Sequence, residues 1–221
     1  MFTRSTNTVA PVVTIHANFG ASEVSFRCGQ EIHGQGEPAE RIYEVQRGAV
    51  RSYKILSDGR RQICAFHLQH DIFGWENGPN YRFTAEAIVD TTVRVIKRQT
   101  LEGVAATDVH VTHNLLNLAT KSLEHAENQM MLLGRKNSRE KVAAFLLEMD
   151  GRLSGAGVLD LPMTRRDIAD YLGLTIETVS RELSRLCACG ILVFSESSQR
   201  RVVLVDREKL QRLTFDRPLP N

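Results

Sequence analysis

The 221-residue chain lacks any apolar run approaching the roughly 20 residues that a membrane-spanning helix needs. Its N-terminus lacks the basic and then apolar order of a secretory signal. Its four cysteines, at positions 28, 64, 187 and 189, form no Cys-x-x-Cys pair. Without a secretory signal, a disulfide framework is not expected. Together these absences predict a cytoplasmic protein with reduced thiols.

The chain also lacks a strong charge of either sign, since its net charge is +2. The part from residue 135 onward carries 15 Lys/Arg against 12 Asp/Glu, and the rest carries 13 against 14. This asymmetry is too mild for a protein that coats DNA without sequence preference. Any nucleic-acid function must therefore depend on where individual arginines lie. The hydrophobic fraction of 42% and the charged fraction of 24% are those of a globular protein with one large or two modest domains.

Short β-type runs separated by turns fill residues 21–107. The segments 42–48 and 49–55 are rich in β-formers, and Asp58-Gly59 predicts a hairpin turn before 61–66. Because no helix-length amphipathic segment interrupts these runs, we predict an antiparallel sandwich or small barrel over 21–107. Residues 1–20 show no clear period and are predicted to be an arm of low order.

An apolar repeat with steps of three and four residues dominates the segment 108–134. Its members are Val109, Thr112, Leu116, Ala119, Leu123, Ala126, Met130 and Leu133. A heptad seam of this length predicts a helix that closes at Gly134 and pairs with the same helix of a second copy. The alternative is a single helix packed on its own barrel, but the seam is longer than a small barrel can cover.

Residues 135–221 are predicted to form a separate, smaller domain. Its first helix starts at the capping-box-like segment 137–140. A second helix starts at Thr164, three residues before Asp167, and ends at Gly173. Thr175 then caps a third helix after a short turn. Two short helices joined by a tight turn that contains glycine are typical of a helix-turn-helix.

The third of these helices has two chemically different faces when it is projected at roughly 100° per residue. The apolar face consists of Ile176, Val179, Leu183 and Leu186. The polar face consists of Glu177, Ser180, Arg181 and Ser184. Arginine can donate two hydrogen bonds to guanine, glutamate can accept from cytosine, and serine can contact thymine or adenine. We predict that Glu177, Ser180 and Arg181 read bases. The alternative is a solvated face with an Arg–Glu pair at the i, i+4 spacing.

A β-hairpin is predicted after this helix, with strands at 191–194 and 201–205 around a turn at 195–198. This wing would carry Arg200 and Arg201 near its tip. Contacts with the phosphate backbone position a protein on DNA without specifying sequence. We predict such contacts for residues at the helix starts, on the recognition helix and on the wing: Thr164, Arg165, Thr175, Thr178, Ser184 and Arg200.

The sequence of 168–181, IADYLGLTIETVSR, resembles the DNA-binding signature of the Crp/Fnr transcription regulators, particularly their FixK branch. The resemblance covers nearly the whole chain. It implies an α+β fold with an N-terminal antiparallel β-roll of the cyclic-nucleotide-binding type over 21–107, a long dimerisation helix over 108–134 and a C-terminal winged helix-turn-helix over 135–221. It also implies a homodimeric activator that contacts RNA polymerase at genes for low-oxygen respiration and nitrogen fixation.

The resemblance further implies an operator. Glu177, Ser180 and Arg181 would read a TTGAT-type half-site, and dimer symmetry predicts an inverted repeat with half-sites about one helical turn apart. The cyclic-AMP-binding relatives carry an arginine where Ile176 stands and a glycine where Ser180 stands. This departure favours the Fnr-type operator.

The ligand chemistry of those relatives is incomplete in this sequence. A cyclic-nucleotide pocket needs a Gly-Glu pair and an adjacent Arg-Ser. Here Glu76 is displaced by one position, and Phe83-Thr84 stands at the Arg-Ser position with Arg82 shifted. The oxygen-sensing relatives hold an iron–sulfur cluster on four thiolates, but Cys28 is the single cysteine among the first 60 residues. Neither a nucleotide nor a cluster is expected.

Two histidine pairs, His67-x-x-His70 and His110-x-x-His113, have no convergent third ligand in the sequence, so no metal or other cofactor is expected. A cupin-like enzyme would need clustered His and Glu ligands on facing strands, which the sequence does not supply. The protein is therefore predicted not to be an enzyme. A regulator whose DNA binding requires an unknown small molecule in the β-roll is the alternative function.

The segment Cys187-Ala-Cys189 lies at the end of the recognition helix. Helical projection places Cys187 roughly 70° from the centre of the DNA face and Cys189 nearer the core. We predict that Cys187 is a redox site whose thiolate is favoured by Arg181 and Arg185. Oxidation to a sulfinate or sulfonate would add negative charge beside DNA phosphates. The alternative is that both cysteines are small buried fillers.

Overall fold

The computed structural model describes residues 21–134, 137–153, 156–195 and 200–214. The predicted arm over 1–20 lies outside the described residues, as does most of the predicted wing turn at 195–198.

The N-terminal region is an antiparallel β-roll, as predicted. Its strands are β1 (Ser22–Phe26), β2 (Glu31–His33), β3 (Arg41–Arg47), β4 (Val50–Ile55), β5 (Arg61–His67), β6 (Ile72–Phe73), β7 (Thr84–Ala87) and β8 (Thr91–Lys97). They form two four-stranded sheets with the orders β1-β8-β3-β6 and β2-β7-β4-β5. Gly48 joins β3 to β4 at a φ of +94°, where a Cβ would lie 2.5 Å from the Thr91 hydroxyl oxygen, so this tight turn requires glycine.

Three helices follow the roll: α1 (Arg98–Ala105), α2 (Val109–Gly134) and α3 (Ser138–Leu153). The helix α1 was not expected, because it lies in the segment assigned to the roll. Its buried Leu101 packs with Ile42 and Ile96 of the sheet, so tertiary contacts stabilise this short element. The helix α2 agrees with the predicted helix at 108–134. Among the described residues, no helix combines the length and apolarity of a membrane span.

The C-terminal region contains the predicted winged helix-turn-helix. Its elements are β9 (Val158–Asp160), α4 (Arg165–Leu172), α5 (Ile176–Ala188), β10 (Leu192–Phe194), β11 (Arg201–Leu204) and α6 (Arg207–Arg212). The three strands form one antiparallel sheet in the order β10-β11-β9. The strand β9 extends the predicted two-stranded wing by one strand and ties it to the chain that leaves α3.

The roll and the winged helix-turn-helix region share one hydrophobic core. Phe66 of β5 lies 5.0 Å from the ring centroid of Tyr171 in α4 and 6.3 Å from that of Phe145 in α3. All three side chains are buried. Contacts of this kind, between large aromatic rings, fix where the helix-turn-helix sits against the roll.

Candidate nucleic-acid interface

The first helix of the helix-turn-helix is fixed at its start by a capping box. The Thr164 hydroxyl accepts a hydrogen bond from the Asp167 backbone amide at 3.2 Å, and the Asp167 carboxylate accepts from the Thr164 amide at 2.9 Å. These bonds satisfy amides that a helix start otherwise leaves unpaired. Thr164 itself is exposed. The predicted start of α4 is therefore confirmed.

The turn to the recognition helix α5 is short and well determined. Gly173 closes α4 in the left-handed conformation at a φ of 63°, which glycine adopts without strain. Thr175 then caps α5, and its hydroxyl oxygen accepts from the Thr178 amide at 3.2 Å. The predicted turn and cap are therefore both present.

The two faces of α5 are those that the sequence predicted. Val179, Leu183 and Leu186 are buried, and Ile176 is half-buried. On the other face, Glu177, Arg181 and Ser184 are exposed, and Ser180 is half-buried. The polar face therefore points to solvent along the N-terminal half of the helix, where base-reading side chains lie in helix-turn-helix proteins.

The alternative of an Arg–Glu pair on this face receives no support. In the described part of the chain, Glu177 and Arg181 form no ion pair, whereas Arg185 pairs with Glu182 at 2.9 Å. Hydrogen bonds from the backbone amide of Glu177 and from Thr175 lower the pKa of the Glu177 carboxyl. This carboxylate is therefore ionised at neutral pH and can accept a hydrogen bond from cytosine.

The residues predicted to contact phosphates surround this face, but not all have free side chains. Arg165 is half-buried, and its guanidinium lies 5.6 Å from the centroid of the Phe194 ring, which links α4 to the wing. The Ser184 hydroxyl donates to the Ser180 carbonyl at 2.9 Å. Arg200 is exposed, and Arg201 lies 3.6 Å from Asp160 of the neighbouring strand.

Two cations near the interface were missed by the sequence analysis. Arg166 is exposed at the second position of α4, and its place beside Arg165 in the sequence was the signal that could have found it. Lys209 of α6 donates to the Cys189 carbonyl at 3.2 Å, at the C-terminal end of α5. No local signal indicates that contact, because the two residues are 20 positions apart.

The two cysteines at the end of α5 are placed differently from the helical projection. Cys189 is exposed and Cys187 is half-buried, with its side chain against the core. The expectation that Cys189 points nearer the core is wrong. The helix ends at Ala188, and Leu186 is its last buried residue, so Cys189 lies beyond the last turn that packs on the core.

The predicted heptad seam lies on the open face of α2. Val109, Leu116, Leu123 and Met130 are exposed by 80%, 63%, 60% and 67%. The opposite face, with Val111, Leu115 and Leu118, packs on the cluster of Ile42, Ile96 and Leu101. The seam is therefore not the surface by which α2 packs on its own roll. A row of four large apolar side chains that are exposed to solvent indicates an interaction surface.

A cavity of about 920 Å³ lies between the β-roll and α2. The two side chains that resemble nucleotide ligands contact each other within it, since Arg82 Nε lies 2.5 Å from a Glu76 carboxylate oxygen. Phe83 also lines the cavity, and the Arg82 guanidinium lies 5.6 Å from the centroid of its ring. Glu76 is buried in this pair, whereas the Arg82 side chain is 71% exposed.

Several further polar side chains line this cavity, and His33 is one of them. His33 is buried and stacks on Tyr81 at 3.7 Å between ring centroids. Neither of its ring nitrogens has a hydrogen-bond partner among the described residues. Burial lowers the pKa of His33 to about 4, so the ring is neutral at pH 7. In the ranges that the structure describes, no group of three or more His, Cys, Asp or Glu side chains is placed to hold a metal ion.

Comparison with known proteins identifies two domains in the chain. Residues 140–213 match the Crp-like helix-turn-helix domain, and residues 23–108 match the cyclic nucleotide-binding domain. The nitrogen fixation regulation protein FixK of Rhizobium meliloti is 39% identical over 189 residues, which are 86% of this chain and 85% of the relative. FixK of Azorhizobium caulinodans is 44% identical over 193 residues, or 85% and 77% of the two chains.

A solved structure is similar over nearly the same range. FixK2 from Bradyrhizobium japonicum shares 56% sequence identity with this chain at a TM-score of 0.85, and the match covers 90% of this chain and 99% of that one. Both the fold and the order of the domains are therefore shared with this relative.

Proposed function

Because this chain belongs to the Crp/Fnr family of transcription regulators, in its FixK-type branch, we propose that it is a homodimeric activator that binds an inverted repeat of TTGAT-type half-sites. It would contact RNA polymerase in the cytoplasm, at genes for low-oxygen respiration and nitrogen fixation. The two FixK relatives from Rhizobium meliloti and Azorhizobium caulinodans are named as nitrogen fixation regulation proteins.

The reading face of α5 carries this proposal. Glu177, Ser180 and Arg181 lie on its solvent side, and the described residues leave the Arg181 guanidinium without an ion pair. A guanidinium in this state can form the two parallel hydrogen bonds to guanine that give base specificity. Thr164, Arg165, Thr175, Thr178, Ser184 and Arg200 would contact the phosphates on either side.

A symmetric dimer follows from the seam of α2. We propose that Leu116, Ala119, Leu123, Ala126, Met130 and Leu133 pack against the same residues of a second copy. The small side chains of Ala119 and Ala126 allow close approach of the two helices. Two recognition helices related by a two-fold axis would then read an inverted repeat.

Substitution of Arg181 tests the base-reading role. Arg181→Ala should weaken binding to a TTGAT operator by about 1–3 kcal/mol and relax the preference at the guanine. Arg185→Ala is the matched control, because Arg185 is exposed on the same helix and pairs with Glu182. Fluorescence anisotropy with the operator and with a variant changed at the guanine measures both quantities. Unchanged discrimination in Arg181→Ala would show that this face has been assigned wrongly.

We also propose that DNA binding needs neither a cyclic nucleotide nor an iron–sulfur cluster. The ion pair of the buried Glu76 with Arg82 and the place of Phe83 in the cavity support the first part. The expected result is that purified protein binds its operator without any added ligand.

A second candidate function is an effector-dependent sensor with a small molecule in the roll. The cavity and the unpartnered nitrogens of His33 favour it. If this candidate is correct, the purified protein should ignore the operator until an effector is added. A thermal-shift screen of small molecules, followed by operator binding, separates the two candidates.

Oxidation of Cys187 is proposed as a control on DNA binding. The thiol is half-buried at the end of the recognition helix, so partial access to peroxide remains. A sulfinate or sulfonate there would place negative charge beside the DNA backbone. Peroxide should weaken operator binding in the wild type and in Cys189→Ser, but not in Cys187→Ser. Equal loss in all three proteins would refute the role of Cys187.

A further inference from the structure

We infer that Arg51 and Arg61 of the β-roll are positioning residues for DNA binding, because they clamp the first helix of the helix-turn-helix in the orientation that presents α5 to DNA. This inference rests on the proposed function. The clamp is centred on Asp167, whose side chain is 2% exposed.

The Asp167 carboxylate accepts hydrogen bonds both from the start of its own helix and from the strands of the β-roll. The Oδ2 atom of Asp167 accepts from the Thr164 amide at 2.9 Å and from the Thr164 hydroxyl at 2.7 Å, as part of the capping box. Its Oδ1 atom accepts from Arg51 Nη1 at 2.6 Å and from Arg61 Nη2 at 2.8 Å. The strands of the roll thus hold the same side chain that shapes the N-terminus of α4, where Thr164 and Arg165 are proposed to contact phosphate.

The two arginines are themselves held in place. Arg61 Nε donates to Asp170 at 2.8 Å, so this guanidinium bridges two carboxylates that lie about one turn apart on α4. Arg51 Nη2 donates to Glu86 of β7 at 2.5 Å. Charge-assisted contacts with more than one partner fix a guanidinium in direction as well as in distance. The clamp therefore determines the angle of α4 against the roll.

At the C-terminal end of α4, neutral and cationic side chains from other elements bind the backbone carbonyl groups. Carbonyl groups in the last turn of a helix have no partner within the helix. Gln62 of β5 donates to the Asp170 carbonyl at 2.8 Å, and Gln129 of α2 donates to the Tyr171 carbonyl at 3.0 Å. Lys141 of α3 lies 3.3 Å from the Leu172 carbonyl. Three elements outside the helix-turn-helix therefore fix the C-terminal end of α4.

The clamped arrangement leaves the reading face of α5 in solvent. Glu177, Arg181 and Ser184 are exposed while Asp167 is fully engaged with the roll. We therefore assign the clamp to the DNA-competent arrangement, and its loss should weaken and misalign operator binding.

The test compares neighbouring arginines in operator binding. Arg61→Glu places a negative charge against Asp167 and Asp170, and it should weaken binding to the inverted repeat by roughly 10-fold or more. Arg60→Glu makes the same change of charge at an exposed residue that pairs with Asp58 in the β4–β5 turn, and it should bind within about 2-fold of the wild type. Combining Arg61→Glu with Asp170→Arg restores opposite charges, and it should recover most of the lost affinity.

Half-site spacing separates positioning from simple loss of stability. A correctly oriented dimer prefers one spacing, so a change of about two base pairs should weaken wild-type binding strongly. In Arg61→Glu this preference should flatten, and the double variant should regain it. If Arg61→Glu does not fold, Arg61→Gln replaces it in this test. Glutamine removes the charge of Arg61, and the spacing preference should flatten in the same way but to a smaller extent.

The outcomes are distinct. If Arg61→Glu and Arg61→Gln keep the affinity and the spacing preference of Arg60→Glu, the clamp does not position the domain and the inference is wrong. Tighter binding by Arg61→Glu would also overturn it, because the clamp would then hold the domain away from DNA. Wild-type protein that ignores TTGAT sites would instead refute the proposed function itself.

Discussion

The polar side chains of the β-roll cavity and those of the recognition helix are arranged in opposite ways. In the cavity, Glu76 and Arg82 pair with each other, and the buried His33 stacks between aromatic rings. On α5, Glu177 and Arg181 point to solvent. The roll matches the cyclic nucleotide-binding domain, while two of its charged side chains pair with each other. A fold and the binding chemistry that it carries can therefore change independently.

Although their polar groups differ, the roll and the helix-turn-helix region share a core and should unfold as one cooperative unit. A substitution of Phe66 tests this expectation. Phe66→Ala removes a ring that contacts both Phe145 and Tyr171, and it should lower the free energy of unfolding by about 3–5 kcal/mol. Fluorescence of the single tryptophan, Trp75, reports on the roll, and far-ultraviolet circular dichroism reports mainly on the helices. The two probes should give one transition. A Trp75 transition that shifts alone would mean that the regions are independent.

In the proposed dimer, the seam of α2 joins two copies of the reading region, and breaking it should remove most of the operator affinity. Leu123→Glu puts a charge on the exposed apolar row and should yield monomers, which bind the inverted repeat roughly 100-fold more weakly. Met131→Glu is the control, since Met131 is 67% exposed but lies off the seam. Sedimentation and operator anisotropy check both. A dimeric Leu123→Glu protein would show that another surface holds the copies together.

The buried histidine makes the roll sensitive to acid in a way that the reading face is not. Burial lowers the pKa of His33 to about 4, below the value of about 6.5 in the unfolded chain. Below pH 6.5 the unfolded state therefore binds more protons, and stability falls as the pH falls toward 4. His33 alone should contribute about 2 kcal/mol to the loss from pH 7 to pH 5, and His67, whose pKa burial also lowers to about 4, should add to it.

His33→Phe keeps an aromatic ring in the stack and removes the titration. Its melting temperature should depend less on pH than that of the wild type between pH 7 and pH 5. Thermal unfolding at several pH values measures this, and identical slopes would rule out His33 as the acid-sensitive group.

The smallest expected effect concerns contacts that position the domain without reading bases. Arg165→Ala should weaken binding to all DNA sequences by about 1 kcal/mol and reduce the salt slope by about 1. Arg60→Ala, in the exposed turn of the roll, is the control. Titrations at several salt concentrations, with operator and random DNA, measure both. A loss confined to the TTGAT operator would give Arg165 a base-reading role instead.

Local signals in the sequence were sufficient for the helix-turn-helix. Thr164, Gly173 and Thr175 each act through bonds to residues within a few positions, so their types and spacing predict the caps and the turn. The heptad seam was also predictable from the sequence, because a repeat with steps of three and four residues defines one face of a helix. The structure adds that the opposite face of α2, with Leu115 and Leu118, packs on the roll.

Contacts between distant segments could not be predicted in this way. The bond from Arg51 to Asp167 spans 116 positions, and nothing near Asp167 distinguishes a plain capping residue from one that also binds the roll. The three-residue strand β9 depends on pairing with β11, and α1 depends on burial of Leu101. Cys189 was misplaced because the end of a helix follows local torsions that periodicity does not contain.

Selection of preferred sites from a random DNA pool, with purified protein and no added ligand, tests the central claim most directly. The account predicts enrichment of an inverted repeat of TTGAT half-sites about one helical turn apart. It also predicts that Arg181→Ala, put through the same selection, loses the guanine preference while Arg185→Ala keeps it. A pool that shows no enrichment without ligand, or that enriches an unrelated site, would contradict the account.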